Sequence, residues 1–162
     1  MACPRPRWFR WWLFPATSIV HFGDELFVGG GFYTWVTSIG GARVTMARFA
    51  FATVVAFASI TIASWVARRR YDWLLFALAA IILTNALTHL VGSLATHSYS
   101  PGTVSGLLIW LPLGGAILYQ GFARNCVTIW CTGLAVGTAM NIAVWLLGMS
   151  LGGIAAIALK IP

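Results

Sequence analysis

The sequence predicts an all-α integral membrane protein, a bundle of about five transmembrane helices. Three observations carry that prediction. Apolar residues make up 60% of the chain and charged residues 8%, where an ordinary soluble domain carries about 25% charged residues. Mean hydropathy is +0.87. The apolar residues fall in runs near the ~20 residues that cross a hydrocarbon core, separated by short basic or turn-forming segments. At 162 residues the chain reads as a single transmembrane helical domain, 1–162.

The first predicted span covers about 11–35. Pro15 suits its opening turn, where no backbone donor is needed, and Gly29-Gly30-Gly31 loosens its far end. The segment before it imitates a secretory leader, with Arg5, Arg7 and Arg10 ahead of an apolar run. No small-x-small cleavage site follows cleanly and Asp24-Glu25 interrupts the run, so it reads as an uncleaved span. Trp8, Phe9, Trp11, Trp12 and Phe14 beside those arginines suit a membrane–water boundary. The second span covers about 47–67 and stops at Arg68-Arg69-Arg70. The third covers about 73–97, and Ser98-Tyr99-Ser100-Pro101-Gly102 follows as a turn. The fourth covers about 103–121, with Pro112 as a kink. The fifth covers about 126–147. Its apolar run continues into a C-terminal extension, 148–162, that must tilt, bend at glycine or lie along the interface.

Net charge is +7, yet the basic residues lie at the ends of apolar runs. That placement indicates topology and lipid head-group contact, with no nucleic-acid partner. An inside N-terminus puts Arg5, Arg7, Arg10, Arg68, Arg69, Arg70 and Arg124 on the cytoplasmic side, against Arg43, Arg48 and Lys160 outside. Five crossings then leave the C-terminus on the opposite side. Cys3, Cys126 and Cys131 show no CxxC spacing and read as packing or loop residues.

The chain holds three acidic residues, and two are adjacent inside the first span, in His21-Phe22-Gly23-Asp24-Glu25. A charge at that depth costs several kcal/mol, at least about 2.5, unless paired, neutralised or hydrated, which makes it a functional-site candidate. His21 shares a helix face with Asp24 and Glu25, at i+3 and i+4. At 1.5 Å per residue these acids lie about 14–22 Å along the first span, Asn85 and His89 about 18 and 24 Å along the third, and Asn141 about 22 Å along the fifth. The three spans run the same way, so the residues share one level. His97 lies two turns further out. Gly133, Gly137 and Asn141 form a small-residue stripe that lets helices approach.

Imidazole with carboxylate suits zinc, iron or manganese. His21, Glu25 and His89 supply two imidazoles and one carboxylate, which leaves positions open for water or substrate. Asp24, Glu25 and Asn85 are the candidate catalytic groups. Glu25 serves as base or ligand, and Asp24 as its partner or a second acid. A metal-free arrangement also works, with one acid protonated, one ionised and a histidine between them. A purely structural polar network is the plainer alternative.

His21-Phe22-Gly23-Asp24-Glu25 resembles the signature of the HXXEE family of small integral membrane proteins. Asn85 with His89, then Tyr99-Ser100-Pro101-Gly102 and the span reaching Leu111-Pro112, resemble that family's second half. The resemblance covers roughly residues 8 to 115. Asp24 stands where the family name implies glutamate, one methylene shorter. The family has no settled biochemical function, so the resemblance supports His21, Asp24, Glu25 and His89 as site residues and supplies no reaction. The leading expectation is an intramembrane metal-dependent enzyme that hydrolyses, isomerises or cyclises a lipid or isoprenoid-like molecule. Its partners are membrane lipids and a hydrophobic small-molecule substrate, with room for a homo-oligomer. The competing expectations are a transporter of protons, metal ions or a small solute, and a non-catalytic membrane subunit.

Overall fold

A computed structural model of the chain describes residues 10–40, 46–68, 71–124 and 126–158, without the side chains of 39, 40, 47, 48 and 145–158. The leader-like residues 1–9 with Cys3, the arginines at 43, 69 and 70, and Lys160 lie outside the described residues. So do the side chains of Arg48 and of the helical part of the C-terminal extension.

All regular structure among the described residues is helical. Helix α1 spans Leu13–Phe27 and α2 spans Phe32–Gly40, with a 3-10 turn, Val28–Gly30, between them. Helix α3 spans Met46–Ala67, α4 Asp72–Thr96, α5 Thr103–Ala123 and α6 Val127–Ala158. Four stretches are long and apolar enough to cross a membrane: Phe49–Ala67, Asp72–Thr96, Thr103–Ala123 and Val127–Val144.

The first predicted span, 11–35, is therefore not one continuous helix, and about five spans become four unbroken ones. The cause is local. Gly29, Gly30 and Gly31 have φ of +62°, +84° and +84°, a left-handed region that side chains disfavour. The turn sets the chain back beside its own exit, so that Phe32 lies against the ring of His89, 5.0 Å between centroids. Helix α2 then follows the end of α4. Trp35 Nε1 donates to Ser98 Oγ at 2.9 Å.

Helix α4 is the centre of the bundle. It touches α3, α5 and α6, and its residues from Leu75 to Ala80 are all buried. A helix apolar all round belongs in such a position. Its neighbours meet it through glycine. A Cβ on Gly114 of α5 would stand 2.7 Å from the Ala79 carbonyl oxygen, and one on Gly137 of α6 would strike the Ala77 carbonyl and the Ala80 methyl. Helix α3 buries only a narrow strip of Ile60, Ser64 and Ala67, and exposes Phe51, Val54 and Ile62, a face suited to lipid.

Helix ends follow the sequence. The left-handed residue that ends α4 is His97, φ 49°, with the Ser98 N–H returning to the Ser93 carbonyl at 3.2 Å, so this histidine terminates the helix. In α5 the kink expected at Pro112 takes the form of a π-helical turn, Gly106–Trp110, directly before the proline, whose ring and missing N–H disturb the preceding turn. The Arg68 guanidinium lies over the rings of Trp11 and Trp65, at 5.8 and 5.2 Å, which seats the start of α1 beside the end of α3. The sequence reading of three packing cysteines does not hold for Cys126, which is disulfide-bonded. Cys131 is free and exposed.

Replacing Gly137 with alanine is expected to lower stability by about 1–3 kcal/mol, because the new methyl meets backbone that cannot yield. Gly115→Ala meets nothing within 4 Å, so it should be neutral or gain up to about 1 kcal/mol of helix propensity. Thermal unfolding of both variants in detergent measures the contrast.

Candidate functional site

Helices α1 and α4 run in the same direction and meet through their long polar side chains. The pairs His21–Asn85 and Glu25–His89 are both 64 residues apart. One helical turn on α1 is thus matched by one turn on α4, and two i, i+4 pairs close into a square. The inner stripe of α1, with Phe14, Ser18, His21, Asp24 and Glu25 buried, is what turns the polar groups toward α4.

Glu25 sits between the two imidazoles. Its Oε1 is 3.0 Å from His89 Nε2 and 3.4 Å from His21 Nε2. His21 Nε2 is also 3.1 Å from Asn85 Oδ1. The imidazole rings stand 5.2 Å apart at 74°. His21 is 0% exposed, His89 1% and Glu25 7%. One ligand atom from each of the three lies within 4.8 Å of the others, which is compact enough to bind a single metal ion.

The outer nitrogens of both rings meet serine hydroxyls. His21 Nδ1 is 2.9 Å from Ser105 Oγ, and His89 Nδ1 is 3.1 Å from Ser100 Oγ. Asp24 points away from the imidazoles to the start of α5. Its Oδ2 accepts the backbone N–H of Ser105 at 2.9 Å and the Ser105 hydroxyl at 2.7 Å. Its Oδ1 accepts the Tyr99 hydroxyl at 2.9 Å. Burial, the hydrogen bond to Asp24 and the charge of that carboxylate push the Tyr99 phenol from 10.0 up to about 12, so it stays a donor at any physiological pH.

The walls are aromatic and tight. The Trp110 indole stacks on the His21 ring, 3.6 Å between centroids at 26°. Gly102 closes the other side. A Cβ there would stand 2.8 Å from His89 Cε1 and 3.1 Å from Glu25 Cγ, and its φ of +97° also favours glycine.

The structure thus brings His21, Glu25, His89 and Asn85 to one point and sets Asp24 one layer away. Asn141 is buried on α6, one turn beyond the Gly137 contact with Ala77 and Ala80, and no hydrogen bond joins it to this cluster. Sequence reasoning missed Ser100, Ser105, Tyr99, Gly102 and Trp110 as site residues. Three of these, Tyr99, Ser100 and Gly102, lie in a segment rich in turn-formers, Ser98 to Gly102. Such a segment between two spans at the level of the acids was the signal that could have pointed to them.

Fold and site together define a helical bundle with membrane-crossing dimensions and a buried imidazole–carboxylate centre. A family model described as "Protein of unknown function with HXXEE motif" matches residues 12–117, and the chain belongs to this family. The matched stretch contains the whole site. The chain is also similar to the "Uncharacterized protein YrkK" of Bacillus subtilis (strain 168), at 29% identity over 59 residues, 36% of this chain. The match spans 37% of that relative's length. No solved structure matches the chain.

The Tyr99 phenol gives a pH prediction. Because the folded protein holds this proton more firmly than the unfolded chain, its stabilising share is whole below pH 10 and fades as the pH climbs toward 12. A phenolate absorbance difference between wild type and Tyr99→Phe should rise near pH 12. A rise near 10 would show that Tyr99 has neither the burial nor the bond to Asp24 seen here.

Proposed function

We propose that the protein is an intramembrane, metal-dependent enzyme acting on a lipid or isoprenoid-like substrate by hydrolysis, isomerisation or cyclisation. The observation that carries this reading is the convergence of His21 Nε2, His89 Nε2 and Glu25 Oε1 in a buried cluster. Two neutral imidazoles and one carboxylate suit zinc, iron or manganese and leave coordination positions for water or a substrate oxygen. The ion would supply Lewis acidity, polarising a substrate oxygen or acidifying water. The chain's own groups do the rest. His21, Glu25 and His89 hold the ion, and Asn85 Oδ1 offers one more polar atom beside His21. Trp110 and Phe32 shield the imidazoles from water. An apolar surround with a few convergent polar atoms suits a hydrophobic substrate.

The basic residues support an N-terminus on the cytoplasmic side. Arg10 precedes α1, Arg68 follows α3 and Arg124 follows α5, and the contact of Arg68 with Trp11 gathers the first two at one end. A positive end belongs inside. The exposed apolar faces of α3 and α6 would meet membrane lipid.

One observation favours transport as the second reading. A string of hydrogen bonds runs from Tyr99, 38% exposed, through Asp24 and Ser105 to His21, and intramembrane ionisable groups strung over several depths mark pathways.

Purified wild-type protein is expected to carry about one transition-metal ion per chain, the content that one three-ligand site with an open position would hold. His89→Ala and Glu25→Gln should abolish that content, and the enzyme should convert a membrane-lipid extract in detergent without a sealed compartment. Wild-type protein that stays metal-free after supplementation and yet turns over would refute the metal. Gradient-dependent flux in reconstituted vesicles, lost in Glu25→Gln and with no product from the extract, would move the protein to the transporters.

A further inference from the structure

We infer that Asp24 and Ser105 are positioning residues: the carboxylate of Asp24 fixes the direction of the Ser105 hydroxyl, and that hydroxyl holds His21 as the tautomer whose Nε2 lone pair faces Glu25. The inference rests on the reading of His21, Glu25 and His89 as metal ligands, and it removes Asp24 from the groups that act on substrate.

Proton count sets the direction of these bonds. The Ser105 hydroxyl has one. Its neighbours are Asp24 Oδ2 at 2.7 Å, the Gly102 carbonyl oxygen at 3.3 Å and His21 Nδ1 at 2.9 Å. A carboxylate and a carbonyl can only accept. The short bond to Asp24 is in the range of a charge-assisted O–H···O⁻ contact. The proton of Ser105 therefore points at Asp24, and its oxygen can only accept from His21. His21 must carry a proton on Nδ1. In a neutral imidazole this leaves Nε2 as a bare lone pair.

With the Asn85 amide oxygen turned inward, that lone pair faces two acceptors, an arrangement that only a cation or a second proton on Nε2 relieves. Its neighbours are Asn85 Oδ1 at 3.1 Å and Glu25 Oε1 at 3.4 Å, and Glu25 Oε1 is itself 3.0 Å from His89 Nε2. His21 Nε2, Asn85 Oδ1 and Glu25 Oε1 converge as acceptors, the arrangement a cation satisfies, and the donor at their edge is the His89 Nε2–H that Glu25 Oε1 accepts and that a metal would displace. Metal-bound histidine commonly fixes its tautomer by donating its second N–H to a carboxylate, carbonyl or hydroxyl partner. Here the carboxylate acts one atom further back, through serine.

The backbone explains why Asp24 can do this. Ser105 lies in the first turn of α5, where backbone N–H groups lack helical partners. Asp24 takes the N–H and the hydroxyl of this one residue on the same oxygen. The N–H marks that oxygen as an acceptor whatever the charge of the group. An amide at position 24 would be oriented by it, with the carbonyl oxygen toward Ser105. The relay on His89 differs, because Ser100 Oγ has no second acceptor fixing its proton.

Two measurements test the proposal. Nitrogen-15 NMR of metal-free protein with labelled histidine, on the mildly alkaline side of the imidazole range, reads the tautomer directly. His21, assigned by its loss in His21→Asn, is expected to be protonated on Nδ1 in wild type and in Asp24→Asn, and to lose that preference in Ser105→Ala. A wild-type His21 bare on Nδ1 and protonated on Nε2 overturns the proposal. Zinc affinity by chelator competition is the second. Ser105→Ala and Asp24→Ala should each weaken zinc by about 10–100-fold, while Asp24→Asn, whose amide oxygen still accepts from Ser105, should restore most of the affinity lost in Asp24→Ala. Zinc loss in Asp24→Asn as complete as in Glu25→Gln would make Asp24 a ligand and end the positioning role. A wild type that binds no zinc, iron or manganese would defeat the metal reading alone, because the tautomer of the metal-free protein still decides the direction of the relay.

Discussion

The rest of the molecule is arranged around one constraint, the burial of the Glu25 carboxyl group between two imidazoles. An acidic group in an apolar interior needs partners of matching geometry. Removing one partner of a buried pair is costly, about 3–5 kcal/mol in soluble proteins. The partners come from two helices, so the register of α1 on α4 has to be right to within a fraction of a turn. The offset of 64 shared by His21–Asn85 and Glu25–His89 records that register. A shift of one residue on either helix would swing the polar stripe by about 100° and face it to lipid or to the apolar core.

Several features that look independent serve this register. The glycine turn at Val28–Gly30 ends α1 directly after the acids and returns Phe32 to the level of His89, so an aromatic ring covers the pair on that side. Gly102 lets the turn after α4 approach the His89–Glu25 contact more closely than any side chain allows. The π-helical turn before Pro112 starts directly after Ser105, which holds the Nδ1 edge of His21, and ends at Trp110, which stacks on its face. A regular α-turn would advance Trp110 differently relative to Ser105. The irregular turn and the two contacts on one imidazole belong together.

Much of this was legible in the sequence. Hydropathy and basic punctuation placed the long helices: α3, α4 and α5 begin and end within two residues of the predicted spans. Rise per residue placed His21, Glu25, Asn85 and His89 at one depth, because depth along a straight helix needs only a starting point. The division of the first span was not legible as such. Three glycines announced a weak end, but whether the chain bends or continues depends on what packs beside it, here Tyr99 and Pro101 against Gly29. Asp24 looked like the second member of an acid pair because adjacency in sequence suggested adjacency in space. On a helix neighbours diverge by about 100°, and that angle directs Glu25 to α4 and Asp24 to α5. Ser105 carried no signal of its own. A hydroxyl in an apolar span usually bonds its own backbone, as Ser64 does to Ile60 at 2.6 Å. Only the path of the turn shows that Ser105 faces a carboxylate and an imidazole instead.

The divergence of the two acids also explains how such a site can be both dry and ordered. Glu25 supplies negative charge where a cation would bind, and Asp24 supplies it where three hydrogen-bond donors from Ser105 and Tyr99 already wait. One carboxylate lies between the two imidazoles and the other is satisfied by the start of α5. The same division accounts for the tolerance of aspartate at the first acid position of the motif. A group that binds the start of α5 needs an oxygen at the height of Ser105, and a shorter side chain reaches it from this backbone. A group that meets His21 on its own helix and His89 across the interface needs the longer reach of glutamate. Interchanging the acids would keep the charge and the motif's chemical character while misplacing both oxygens. Geometry, more than composition, is therefore what this pair of positions encodes.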